Sequence, residues 1–311
     1  MSLSDTIEMQ FHKKELLKFC GPTNYALQNL ATGVIFCQHY SSYNDPFEFW
    51  TKLSQGIPDV DVEPDRFLAA VRTWGFDVQS VTEVKAIPVL WDNVNEYFDE
   101  CQSYQPPFEE MRRQMRIACF GSERDNLLMW SHYADGLRGF CVVFDEEIIV
   151  EAEPKGYVLD VVYCDSPPNV DAFVYAIARD QDWYAHTAIE ETKDKIRSKG
   201  GPVLEDEVLM YKRAGEEAFQ TMVAIWQQVF ATKPSEWKYE RERRLLVQTD
   251  QDDTAPTLRP FPRNAVKEVV LGERMPDIFR RQILAVMQEN YPQVPIKTVR
   301  RDHGLYTLAI Q

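Results

Sequence analysis

Short apolar runs rich in β-branched and aromatic residues recur along the whole chain, and two long helical stretches divide them. Any sheet must therefore be assembled from segments far apart in sequence. The strand-like runs fall at 16–19, 34–37, 117–120, 140–144, 158–163, 244–248, 266–271, 296–300 and 305–310. Between the first two, 23–31 reads as a helix opened by Pro22 and Thr23 and closed by Gly33. Helical spacing returns with Phe67, Leu68, Val71 and Trp74, which stop at Gly75, and with Leu90, Val94, Tyr97 and Phe98. A later stripe of Phe219, Met222, Val223, Trp226 and Val229 is packing surface, and 277–290 reads as a final helix. The acidic, proline-containing stretch 250–262 reads as a surface loop. With 311 residues, 44% of them hydrophobic, the chain can bury a sizeable core. These patterns predict a single α+β domain over 1–311, with one mixed, strongly twisted sheet and helical insertions at about 52–116 and 166–235.

Charge and apolar run length narrow the function. Thirty-four Lys plus Arg against 49 Asp plus Glu give a formal net charge of −15, which disfavours nucleic acid as a partner. The apolar runs are far shorter than the roughly 20 residues of a spanning helix, and 1–17 lacks an apolar signal core, so a cytoplasmic protein with no membrane partner is expected. The opening Met-Ser-Leu is given no role. Six cysteines without a C-x-x-C pair read as reduced and structural. Glycine-rich nucleotide fingerprints, the P-loop, H-E-x-x-H, G-x-S-x-G and Cys/His zinc spacing are all absent. No two of the five histidines stand at helical metal-ligand spacing.

Three polar clusters remain. Tyr43-Asn44-Asp45-Pro46-Phe47-Glu48 follows a strand and is either a tight turn or the mouth of a pocket carrying Asn44, Asp45 and Glu48. The segment 119–136 contains a short helix over 127–133, with Asp125 or Asn126 as its cap. On it Met129, His132 and Tyr133 share one face, and Asn126 and Trp130 another. This helix is either a wedge between strands or a ligand site with aromatic plates and polar donors. In the third cluster, 237–244, a strand from Glu240 places Glu240, Glu242 and Arg244 on one face and Arg241 and Arg243 on the other. Such a strand is either an exposed, charge-protected edge or the wall of a cleft holding a tuned carboxylate.

Taken in order, these clusters resemble the bacterial domain of unknown function 2971 family. The matching residues are Leu17 to Phe19, Asn44 to Glu48, Cys119, Phe120, Asn126, Met129 to Tyr133, Gly139, Cys141, Phe144, Asp145, Trp237, Tyr239, Glu240, Glu242 and Arg244. Three positions depart from the pattern. Gly121 replaces a serine, with Ser122 shifted by one, Leu137 replaces a histidine, and Arg243 replaces a tryptophan. The order of elements also resembles ADP-ribosyltransferase-like folds, in which an opening strand and helix bind NAD and a late strand presents a glutamate. By that resemblance Lys18 occupies the opening-strand position, Ser131 to Tyr133 the middle of the cleft, and Glu240 or Glu242 the late glutamate. The resemblance implies Glu240, Glu242 and His132 as catalytic residues. It implies Lys18, Asn44, Asp45, Ser122, Asn126, Trp130, Ser131, Tyr133 and Arg244 as binding residues for NAD or another nucleotide-like small molecule, with Trp130 and Tyr133 stacking on its rings.

Three functions stay open: an NAD-cleaving or ADP-ribosyl-transferring enzyme in bacterial conflict or phage defence, a metal-dependent hydrolase or nuclease, and a non-enzymatic binding or sensor module. The second would use Asp45, Glu48, Asp125, His132 and Glu242 on one ion. The first requires the segments near 45, 130 and 241 to wall a single hollow.

Overall fold

A computed structural model of the chain describes residues 15–152, 156–199 and 202–311. The expectations for the N-terminus fall mainly on residues 1–14, outside the described residues. The fold is α+β, and its strands form several small sheets rather than the one large sheet expected from sequence. Two compact units emerge. The first is formed by Met1–Glu48, Glu109–Asp165 and Lys233–Gln311, the second by Phe49–Phe108 and Ser166–Thr232.

In the first unit, strand β1 (Glu15–Cys20) leads to helix α1 (Asn24–Thr32) and strand β2 (Val34–Cys37). Thr23 caps α1 by accepting from the Ala26 amide at 3.2 Å, and Gly33 closes it at φ 74°, a left-handed conformation that glycine adopts without strain. Later come β3 (Met115–Phe120), α2 (Leu127–His132), β4 (Phe140–Asp145), α3 (Glu146–Glu151) and β5 (Gly156–Asp160). The C-terminal part adds β6 (Arg243–Gln248), β7 (Thr257–Pro260), β8 (Val266–Gly272), α4 (Asp277–Asn290), β9 (Ile296–Arg301) and β10 (Leu308–Ile310).

The larger sheet has the order β1-β4-β8-β9-β10, and only β8 and β9 run parallel, joined through α4. The strand β4, paired between β1 and β8, reads Phe-Cys-Val-Val-Phe-Asp and is buried at every position, as expected of a strand covered on both faces. A three-stranded antiparallel sheet of order β3-β6-β5 lies beside it, linked by the Leu17–Gly121 bridge. The core between sheet and helices includes Phe140, Phe144, Leu245, Val269, Phe279 and Ile283.

Several sequence expectations change here. The stretch 250–262 is not all loop, because Thr257–Pro260 pairs antiparallel with β2. The predicted strand 158–163 divides: Gly156–Asp160 stays with β6, while Val162–Cys164 leaves as a separate strand. The last strand shortens to Leu308–Ile310, since Asp302 turns the chain by accepting from the amides of Gly304 and Leu305.

Gly139 ends the loop that feeds β4. A Cβ there would overlap the carbonyl oxygen of Cys20 on β1, the backbone neighbour at the end of that strand pair. Gly139→Ala is expected to cost about 2–3 kcal/mol, the upper range for overpacking, read as a lowered urea midpoint at unchanged slope.

The second unit is helical. Pro64–Thr73, Val81–Lys85, Pro88–Cys101, Ala172–Lys199 and Pro202–Phe230 pack around Phe67, Phe98 and Phe173, whose rings meet at 5.6 and 5.1 Å. Strands Lys52–Ser54 and Asn169–Asp171 pair parallel, and Arg66 binds Asp171 at 2.7 Å. In the long helix Pro202–Phe230 the buried line runs through Ala218, Met222, Ile225 and Val229. Phe219, Val223 and Trp226 of the predicted stripe are only half-buried, flanking that line.

Candidate functional site

The site is built in the first unit, where the 237–244 segment enters β6. A strand from Glu240 was the expectation. Instead Ser235–Glu240 is a 3-10 turn, Arg241 takes a left-handed conformation at φ 44°, and the strand begins at Arg243. The edge-strand alternative also fails, since β6 is the middle strand of its sheet, between β3 and β5. Its charges therefore cannot serve as an edge guard. Arg241 reaches outward to Glu123, and Arg243 binds Asp160 at 2.6 Å and both oxygens of Glu146 at 2.6 and 2.7 Å.

Inward, Glu240, Glu242 and Arg244 enter one buried network. Lys233 Nζ lies 2.7 Å from Glu240 Oε2 and 2.7 Å from Glu242 Oε2. Arg244 Nε donates to Glu242 at 2.8 Å, and its two terminal nitrogens donate to Glu48 at 2.5 and 2.9 Å in a bidentate fork. The Tyr133 hydroxyl donates to Glu240 Oε1. Only 2% of Glu240, 4% of Glu242 and none of Arg244 is exposed. Burial pushes the Glu242 carboxyl up, but Arg244 and Lys233 outweigh it and hold it at about 2. Burial also opposes the Lys233 charge, and the two glutamates overcome it, so this ammonium ionises above its ordinary value. For Glu48 burial prevails over Arg244, and its carboxyl is raised.

This network floors a cavity of about 340 Å³. Glu240, Glu242 and Lys233 lie at one end, Leu17, Phe120 and Met129 form apolar wall, and Asn44, Tyr43 and Lys18 add polar groups. The Lys18 ammonium donates to the Cys119 carbonyl at 2.9 Å and lies 5.3 Å from the Phe120 ring centroid. No carboxylate pairs with it among the described residues. The Tyr43 hydroxyl donates to Ile117 O at 3.0 Å. Burial raises the thiol of Cys119 well above its ordinary value, so this cysteine stays protonated and is a poor nucleophile.

The segments near 45, 130 and 241 thus share a hollow, but not every residue singled out in them reaches it. Asn44, Tyr133, Glu240, Glu242 and Lys18 line the cavity. Trp130 is completely buried, its indole N–H donates to Arg124 O at 2.6 Å, and its ring meets Phe19 edge-on at 5.4 Å. Of the two rings expected to stack on a ligand, only that of Tyr133 belongs to a residue lining the cavity. His132 is exposed, with its ring 5.9 Å from that of Tyr239, and does not line the cavity. Ser131 donates to Leu127 O within its own helix at 2.8 Å, and Ser122 to Arg241 O at 2.9 Å. Asp45 Oδ1 accepts from the Phe47 amide at 2.9 Å as the predicted turn requires, while its Oδ2 is buried without a partner among the described residues. Arg244 acts on the floor from beneath, through Glu242.

Asn126 caps α2, accepting from the amides of Leu128 and Met129 at 3.1 and 3.2 Å, and its amide donates to Tyr239 O at 2.6 Å. It tethers the Tyr133 helix to the turn that carries Glu240. Asn126→Ala is expected to cost about 1–2 kcal/mol of unfolding free energy, measured by urea titration.

Lys233 was not foreseen. The available signal was a lysine two residues beyond the apolar end of a long helix, Val229-Phe230-Ala231, where a solvated charge is out of place. The five residues of the metal-site expectation are not assembled, because Arg244 occupies the position between Glu48 and Glu242. Among the described residues no three or more of His, Cys, Asp and Glu are grouped so as to hold a metal ion.

A family model described as protein of unknown function (DUF2971) matches residues 129–245. The match spans 117 of the 311 residues and is a similarity to that family over this part of the chain. The matched segment runs from Met129 on α2 through Glu240, Glu242 and Arg244, and so contains the carboxylate floor and Tyr133, while Lys18 and Asn44 lie outside it. No curated protein and no solved structure matches the chain. Among the described residues no helix is long and apolar enough to cross a membrane.

Proposed function

We propose that the cavity of the first unit binds a nucleotide-like small molecule and that the chain is an ADP-ribosyltransferase-like enzyme that cleaves NAD. One observation carries this reading: two buried glutamates, fixed by Lys233, stand at the floor of a cavity whose wall presents Lys18, a cation without a carboxylate partner among the described residues. A cation in that position calls for an anionic ligand, and the diphosphate of a dinucleotide supplies one.

The chemistry follows from charge. In hydrolysis the bond between ribose C1′ and the nicotinamide nitrogen breaks, and its electron pair leaves with nicotinamide. Positive charge develops on the ribose, and a carboxylate held nearby stabilises it. Water then forms the new C1′–O bond and loses a proton, giving ADP-ribose and nicotinamide. Glu240 is the residue assigned to the ribose, since it lines the cavity and its carboxylate is steadied by Tyr133 and Lys233. Glu242 is tied to both Lys233 and Arg244 and anchors the floor.

The burial of both carboxylates also favours a second reading, a binding module in which the same cavity holds the ligand without turnover. Two measurements test the first. NAD at about 100 times its Kd stabilises the fold by about 2.7 kcal/mol, seen as a raised melting temperature, and free nicotinamide accumulates. No shift at millimolar NAD removes the NAD reading. A shift without nicotinamide leaves the binding module.

A further inference from the structure

A second cavity of about 240 Å³ lies against the first, under α1, and the two share Lys18, Phe19, Phe36 and Tyr133 as lining. Its remaining walls are strongly apolar: Tyr25 from α1, Phe140 and Phe144 from β4, and Phe261 beyond β7. An apolar cavity of roughly 150 Å³ holds a benzene ring, so this one has room for a larger aromatic ring system. Lys18 lines both spaces, and its ammonium donates to Cys119 O at 2.9 Å.

The few polar groups in the second cavity are mostly committed. The Thr23 hydroxyl caps α1 and the Tyr133 hydroxyl binds Glu240. Asn29 differs. It is half-buried on the cavity side of α1, its backbone carbonyl accepts from Gly33, and its side-chain carboxamide has no hydrogen-bond partner among the described residues. A carboxamide is a paired donor and acceptor, and in an apolar surround it matches a ring edge that offers the complementary acceptor and donor.

We propose that the second cavity is a heterocycle pocket in which Asn29 is the specificity-determining residue, reading a flat aromatic ring that carries an adjacent hydrogen-bond donor and acceptor. The inference rests on the first cavity being the site for the ribose and phosphate of the same ligand, with Lys18 on the phosphate between them. Two rings have the required edge, adenine through its 6-amino group and N7, and nicotinamide through its carboxamide.

Equilibrium binding by calorimetry to the full chain separates them. AMP is compared with inosine monophosphate, which replaces the amino group by an oxo group. Nicotinamide mononucleotide is compared with nicotinic acid mononucleotide, which replaces the amide by a carboxylate. Ribose 5-phosphate, which lacks any ring, reports on the first cavity alone. The expected result is that one pair is discriminated about tenfold or more in favour of the amino or amide member, and that Asn29→Leu abolishes the discrimination while leaving ribose 5-phosphate affinity unchanged. The pair that discriminates identifies the ring. The wild-type comparison of each pair needs no variant, so a poorly folding Asn29→Leu does not remove the test. Equal binding within both pairs, or failure of every ring-bearing probe while ribose 5-phosphate binds, overturns the heterocycle pocket and leaves the first cavity standing. Failure of ribose 5-phosphate and all four nucleotides overturns the ligand-site reading and this inference together.

Discussion

Replacing Arg244 with Met is expected to lower the unfolding free energy by about 3–5 kcal/mol, the largest stability effect of any single change at the site. Arg244 is fully buried and supplies three of its nitrogens to two carboxylates, Glu48 and Glu242. Methionine fills much of the volume but leaves both acids buried with Lys233 as the neighbouring cation, so the cost is that of stranding buried charge rather than of losing packing. Urea titration measures it. A loss below about 1 kcal/mol would show that water reaches Glu48 and Glu242 and that the network is not closed. Adding Glu48→Gln and Glu242→Gln to the same variant should recover part of the loss, because the stranded charges are removed.

The network also gives acid sensitivity a definite sign. Glu242 ionises at about 2 in the fold against an ordinary value of 4.5, so its contribution is fully present above about pH 4.5 and disappears as the pH falls toward 2. Glu48 works the other way. Its carboxyl is raised by burial, so acid relieves a strain there before Glu242 is reached. Glu242→Gln should flatten the acid limb of the stability profile below pH 4.5.

Glu240→Gln is expected to lower the rate of nicotinamide release from NAD by about 10²–10³-fold while changing NAD affinity by only a few-fold. The amide keeps the shape of the side chain and can still accept from Tyr133, but it carries no negative charge to set against the developing charge on the ribose. A tenfold or smaller change in turnover at unchanged melting temperature would take Glu240 out of the chemistry. An equal loss of affinity and rate would make it a binding residue.

The periodicity and punctuation of the sequence carried most of the local structure. Thr23 and Gly33 bounded α1, Asn126 was one of two adjacent caps expected for α2, and the helix 277–290 and strand 34–37 were legible to the residue. These elements are set by caps, glycine conformations and apolar spacing, all local properties. The three polar clusters were equally visible, because charged and hydrogen-bonding residues beside apolar strands are conspicuous in sequence.

What they do was decided only by tertiary structure. Period-two reasoning put Glu240, Glu242 and Arg244 together, and the structure also brings them together, but through a 3-10 turn and a left-handed Arg241 that no alternation pattern encodes. Trp130 and His132, two residues apart on one short helix, were equivalent candidates in sequence. The fold buries the indole against Phe19 and leaves the imidazole in solvent. Lys233 and Glu48 joined the site from positions 185 residues apart, and Lys18 from further still. A sequence determines which segments fold locally because those energies depend on near neighbours. Which charges share a buried volume depends on long-range packing, and the cost of burying each charge is fixed by partners that only the assembled sheets supply.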